Sequence, residues 1–129
     1  MLDTVSRDRI EYMEAEIRWL RDKIAKLEGR DLVARSRAVF GLTVCEASIF
    51  TLLVRCGTAD FDALIDAVYE GRDEPRDLLW AIRHHVKRIR PKVARHGVEI
   101  ETAFGVGYRM SDEARAKARA ALKREMEAV

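Results

Sequence analysis

The chain has 129 residues, 36 % charged and 48 % apolar, with a formal net charge of +2 at pH 7. That is one small domain with an appended element, apolar enough for one modest core. No apolar run approaches the roughly 18–20 residues of a membrane span, and the charged N-terminus lacks a signal-peptide core, so a cytoplasmic protein without membrane contact is expected.

Residues 1–30 read as a coiled-coil helix. Ile10, Met13, Ile17, Leu20, Ile24 and Leu27 are spaced 3, 4, 3, 4, 3, which puts Ile at every a position and Met, Leu, Leu at d. A β-branched residue at a with Leu at d favours two parallel strands. In a parallel homodimer the g and e positions pair Arg9 with Glu14, Glu16 with Arg21 and Lys23 with Glu28, and every pair is opposite in sign. The alternative is an amphipathic helix packed on its own domain, but that helix normally shows a wider apolar face than this narrow seam. Gly29 and Asp31 end the heptads. Residues 31–37 then read as a linker, with a short strand near 38–41.

The middle of the chain predicts three helices. Thr43 and Glu46 have capping-box spacing and open a helix ending before Gly57. Asp60 opens a second, FDALIDAVY, with Phe61, Leu64, Ile65 and Val68 inward. Cys45 and Cys56 have no Cys-x-x-Cys or His-x-x-x-His companion, so both are expected to be buried, reduced thiols. A third helix is expected over about 75–93, with Pro75 in its first turn. Its positions Leu78 or Leu79, Ile82, Val86, Ile89 and Val93 recur at helical spacing and should face the core.

The small net charge conceals a local asymmetry. Residues 57–74 hold six acids and one Arg, whereas 75–110 hold eight Lys/Arg, three acids and all three histidines. A basic face of this kind is the footprint of a surface that meets phosphates. On the third helix it comprises Arg83, His84, His85, Lys87, Arg88 and Arg90. Adjacent histidines point about 100° apart on a helix, which argues against a shared metal. Pro91 removes one backbone bond near the helix end and should distort its last turn. After Gly97, the alternating segment over about 98–110, broken at Gly105 and Gly107, reads as a β-hairpin.

These residues resemble the winged-helix effector domain of OmpR/PhoB-type response regulators. The likeness rests on Leu42-Thr43 with Glu46, on Leu64 with Val68-Tyr69, and on Ile89-Arg90-Pro91-Lys92-Val93 at the third helix end. The wing signature Ile-x-Thr-x-x-Gly-x-Gly-Tyr-Arg is present as Ile100, Thr102, Gly105, Gly107, Tyr108 and Arg109. The resemblance implies a mainly α fold with a β-hairpin wing over 38–111, its third helix in the major groove and its wing on the neighbouring groove or backbone. The DNA-binding residues so expected are Arg83, His84, His85, Lys87, Arg88, Arg90, Lys92, Thr102 and Arg109. Ala103-Phe104 stands where the family usually has a basic or aromatic residue, so a wing arginine is missing. With no receiver domain and no N-terminal four-stranded sheet in this sequence, the zipper is expected to replace the receiver as dimeriser.

Ser111 with Asp112-Glu113 opens a last helix over 112–129, with Ala114, Ala118, Leu122 and Met126 on one face. That stripe can pack on the domain, on a partner subunit, or on nothing. The expectation is a nucleoid-associated transcription regulator that binds double-stranded DNA as a parallel homodimer, on inverted or tandem repeats. No cofactor, metal or catalytic residue is expected. The alternative is an interaction protein that docks on RNA polymerase or on another regulator.

Overall fold

A computed structural model describes residues 2–127, and the side chains of residues 8–24 and 29–123. The chain is mainly helical with a small antiparallel sheet. Its elements run α1 (Leu2–Phe40), α2 (Val44–Cys56), β1 (Thr58–Asp60), α3 (Phe61–Tyr69), α4 (Leu78–Ala94), β2 (Glu101–Ala103), β3 (Gly107–Arg109) and α5 (Asp112–Glu127). Two units are distinguishable, Met1–Asp31 and Leu32–Val129. No single helix among the described residues is long and apolar enough to cross a membrane.

The first unit is helical and leaves its apolar stripe uncovered. Ile10, Met13, Ile17, Leu20 and Ile24 are each 43–54 % exposed, as are the aromatic rings of Tyr12 and Trp19 to a larger degree. Lys23 Nζ lies 4.9 Å from the centroid of the Trp19 ring. The side chains of Leu27, Glu28 and Met126 lie outside the described residues.

The second unit begins with a correction to the expected linker. Residues 31–37 and the expected strand near 38–41 are helical as far as Phe40. The physical reason is a second helical stripe: Leu32, Val33, Ser36, Val39 and Phe40 share a face, and no breaker intervenes before Gly41. Phe40 and Ser36 are buried, and Phe40 meets the Phe50 ring edge-on at 4.8 Å. The Ser36 hydroxyl is 3.5 Å from that of Thr51, so this buried polar pair satisfies itself.

Helix α2 is the centre of the core. Thr43 caps it as the spacing predicts: its hydroxyl accepts from the Glu46 amide at 3.3 Å, and Glu46 Oε1 accepts from the Thr43 amide at 3.2 Å. Ile49, Phe50 and Leu53 are fully buried, and α3, α4 and α5 all pack on this helix. Asp60 caps α3 through the Ala63 amide at 2.8 Å. Helix α4 starts later than expected. Asp77 accepts from the Trp80 amide at 3.0 Å and starts the helix at Leu78, which leaves Pro75 outside it. The thiols also differ from expectation, since Cys56 is exposed and Cys45 only half-buried, and both are free.

The hairpin gains a strand that the sequence did not reveal. The sheet order is β1-β3-β2, so β3 lies between two antiparallel neighbours, with Thr58 and Glu101 both opposite Arg109. β1 is only three residues long and ends on the Asp60 that caps α3, too short for alternation to be read. Helix α5 closes the unit. Ala114, Ala118 and Leu122 are buried in the common core, which settles the packing of that stripe on its own domain. Arg115 donates from Nε to the Val54 carbonyl and from Nη2 to the Arg55 carbonyl, both at 2.9 Å, and so covers the C-terminal end of α2.

Two wing glycines should respond differently to substitution. A Cβ on Gly107 would collide with the Ala59 carbonyl oxygen and come within 2.9 Å of Asp60 Cα, both backbone atoms of β1. Gly105 has φ +75° and open space around it. Gly107→Ala is therefore expected to destabilise by about 1–3 kcal/mol through overpacking, and Gly105→Ala by about 1–2 kcal/mol through left-handed strain alone. Urea unfolding checks both. Only Gly107→Ala should also raise hydrogen exchange in β1.

Candidate nucleic-acid interface

Helix α4 has two sharply different faces. Ile82, Val86, Ile89 and Val93 are fully buried, as their 4-3-4 spacing predicts. Their burial fixes the helix rotation and turns the opposite side to water. Trp80, Arg83, Lys87, Arg88 and Arg90 are exposed there, with His84 half-exposed among them. Lys87 and Arg88 make no side-chain bond or ion pair among the described residues. Pro91 lies within α4, which continues through it to Ala94. The carbonyl that loses its partner is that of Lys87, and both residues are exposed, so water can take the place of the missing amide.

His85 and Lys92, seven residues apart, share another side of α4 and are not on the exposed face. The His85 ring Nε2 is 3.3 Å from the Tyr69 hydroxyl of α3. Lys92 Nζ donates to Glu46 Oε1 at 2.6 Å, and the Glu46 side chain is only 2 % exposed. Both expected DNA contacts are thus engaged with neighbouring helices. Arg109 is engaged as well, pairing with Glu101 through Nη2 at 2.7 Å and Nε at 2.9 Å across the β2–β3 register. Its opposite partner in sequence space, an acid two places before the wing turn, carries the signal that could have shown this pair.

Arg90 joins the helix to the hairpin. Its Nε donates to the Ile100 carbonyl at 3.3 Å and its Nη2 to Thr102 Oγ1 at 2.9 Å, while its guanidinium lies 5.7 Å from the Tyr108 ring centroid. Arg83 lies 5.9 Å from the Phe61 ring centroid. An open groove of about 740 Å³ runs between the C-terminal half of α4 and the hairpin, with Arg90, Ile100, Thr102 and Phe104 on its walls.

The sequence reading overlooked Trp80. It is 61 % exposed and stacks on His84, with ring centroids 4.8 Å apart and planes 9° from parallel. Its i, i+4 spacing to His84 and its i, i+7 spacing to Lys87 place it on the basic face, and that spacing was legible. No protein-family model, curated protein or solved structure matches this chain. No group of three or more His, Cys, Asp or Glu that could hold a metal ion occurs among the described residues.

Electrostatics separate the engaged groups from the exposed ones. Burial pushes the Glu46 carboxyl up, but the bonds from Lys92 and Thr43 and the Lys92 charge outweigh it, and the net shift is below 4.5. Burial lowers His85 below 6.5, with Arg88 and His84 adding to the effect and Glu46 opposing it. Both folded-state values lie below the unfolded ones, so both groups give stability that is present above the ordinary value and lost as pH falls. Stability should therefore decline first below about 6.5 through His85 and again below about 4.5 through Glu46. Urea titrations at a series of pH values check this. His85→Phe should remove the first decline and Glu46→Gln the second. Lys92→Met, which leaves a buried carboxylate short of its donor, should cost about 1–3 kcal/mol at neutral pH.

Proposed function

We propose that this chain is a sequence-specific regulator of transcription that binds double-stranded DNA as a parallel coiled-coil homodimer. In this reading residues 38–111 form a winged helix-turn-helix of the OmpR/PhoB type. Helix α4 enters the major groove, and the β2–β3 hairpin rests on the adjacent groove or backbone. The observation that carries the proposal is the exposed side of α4, where Arg83, Lys87, Arg88 and Arg90 are presented by a helix whose other face is fully buried. Arg and Lys can hold phosphates or reach guanine edges, and a rigid helix fixes where they point.

The homodimer rests on a second observation. Five large apolar side chains on the first unit, from Ile10 to Ile24, are all about half exposed in the single chain. A seam of that type is ordinarily covered by a second helix, and the flanking charges Arg9–Glu14 and Glu16–Arg21 suit a parallel copy. A protein-docking reading is favoured by a different feature. Leu79 and Trp80 are exposed at the start of α4, close in sequence to the acidic 57–74 stretch, a mix that fits RNA polymerase or another regulator as partner.

The salt dependence of duplex binding distinguishes the two. Lys87→Ala/Arg88→Ala is the informative variant, because both side chains are without partners whereas Arg90 also holds the hairpin. It should weaken binding and reduce the slope of log K against log salt by about 2, near 0.9 per phosphate contact. Unchanged binding and slope would favour the docking reading. Ile17→Lys/Leu20→Lys should abolish the dimer in sedimentation and lower affinity for a two-site duplex by roughly 10²-fold or more, through loss of the linked second site. Wild-type protein that sediments as a monomer at high concentration would contradict the coiled coil.

A further inference from the structure

Phe104, at the tip of the hairpin, is 92 % exposed and makes no ring contact, unlike Phe40, Phe50 and Phe61, which pack against other rings. Its neighbour Val106 is 49 % exposed. The tip thus presents a phenylalanine and a valine around Gly105 and has no function in the core. It is nevertheless held firmly. The Val106 amide donates to the Ala103 carbonyl at 3.0 Å and the Phe61 amide to the Val106 carbonyl at 3.1 Å, which ties the tip to α3. Arg90 clasps the hairpin from the helix side through Ile100 and Thr102.

The surroundings of the tip decide what it meets. Phe104 lines the same open groove as Arg90, beside the basic side of α4. No Lys or Arg occurs between Arg95 and Arg109, so the tip has no cation with which to grip a phosphate. The nearest hairpin cation, Arg109, is neutralised by Glu101. A surface that is basic behind and apolar at its point suits a polyanion whose interior is apolar, which is a nucleic-acid duplex.

We infer that Phe104 is an apolar wedge that presses between two base pairs in the minor groove beside the major groove occupied by α4. The inference rests on the proposed DNA binding and adds a deformation of the duplex to it. Inserted apolar side chains partly unstack a base step and kink the helix toward the major groove. Pyrimidine–purine steps unstack most easily, so TA or CA/TG is the step preferred under the tip. The braced hairpin keeps the ring in position before contact, so little freedom is lost on insertion.

The test uses the full chain and a duplex selected by the protein from random DNA, with 2-aminopurine at the step under the tip. Binding of the wild type should raise the fluorescence of the unstacked base. Phe104→Ala should lose that rise and bind roughly tenfold more weakly, the order expected for removing one base–aromatic contact, with the salt slope unchanged. Phe104→Leu should retain most of both. Since the ring touches nothing in the fold, each variant should unfold like the wild type. Unaltered fluorescence and affinity for Phe104→Ala, while the wild type binds with its normal salt slope, would overturn the wedge and leave DNA binding standing. DNA binding preserved but capture of RNA polymerase lost would overturn it in favour of a protein contact. A wild type that binds no duplex at low salt would overturn both readings.

Discussion

The arrangement of the second unit depends on Glu46. Its carboxylate closes the capping box on Thr43, which starts α2, and accepts from Lys92 near the end of α4. One buried anion thereby satisfies the first turn of the central helix and fixes the rotation of the basic one. Removing either partner leaves the other side short of a bond in a low-dielectric site, which is more damaging than the net value of the pair would suggest. The rotation so fixed is the one that buries Ile82, Val86, Ile89 and Val93 together.

That rotation also sorts the cations. A helix with this many basic residues has more than it can bring to one surface. Lys92 is used within the fold, and His85 is kept neutral by burial against Tyr69. Arg90 bridges helix and hairpin, while Arg109 and Glu101 hold the two wing strands together. What remains toward water is Arg83, Lys87 and Arg88, set around the stacked rings of Trp80 and His84. The proposed contact surface is therefore smaller than the charge count suggests, and it has an aromatic centre.

Much of this was legible in the sequence, where the signal was local and periodic. The capping box, the core stripe of α4, the start of α3 at Asp60 and the hairpin glycines all follow from spacing and turn chemistry. The misreadings have physical causes as well. The 31–37 stretch looked like a linker because the heptads stop at Gly29 and Asp31, but a second stripe carries the helix on to Phe40. Pro75 looked like a helix start until Asp77 was seen to cap the Trp80 amide. The assignments of His85, Lys92 and Arg109 depended on partners 8 to 46 residues away in the chain, and no periodicity reports such distances. β1 was hidden because three residues are too few to show a pattern.

The central claim is that two copies of this basic helix read one duplex together. Hydroxyl-radical footprinting of the full chain on duplexes that it selects from random DNA tests that claim most directly. The account predicts a shared sequence motif and two protected tracts, separated by about one helical turn (10–10.5 base pairs) or a small multiple of it, with two chains bound per duplex. Selection that yields no shared motif, with uniform cleavage along the bound DNA, would contradict it.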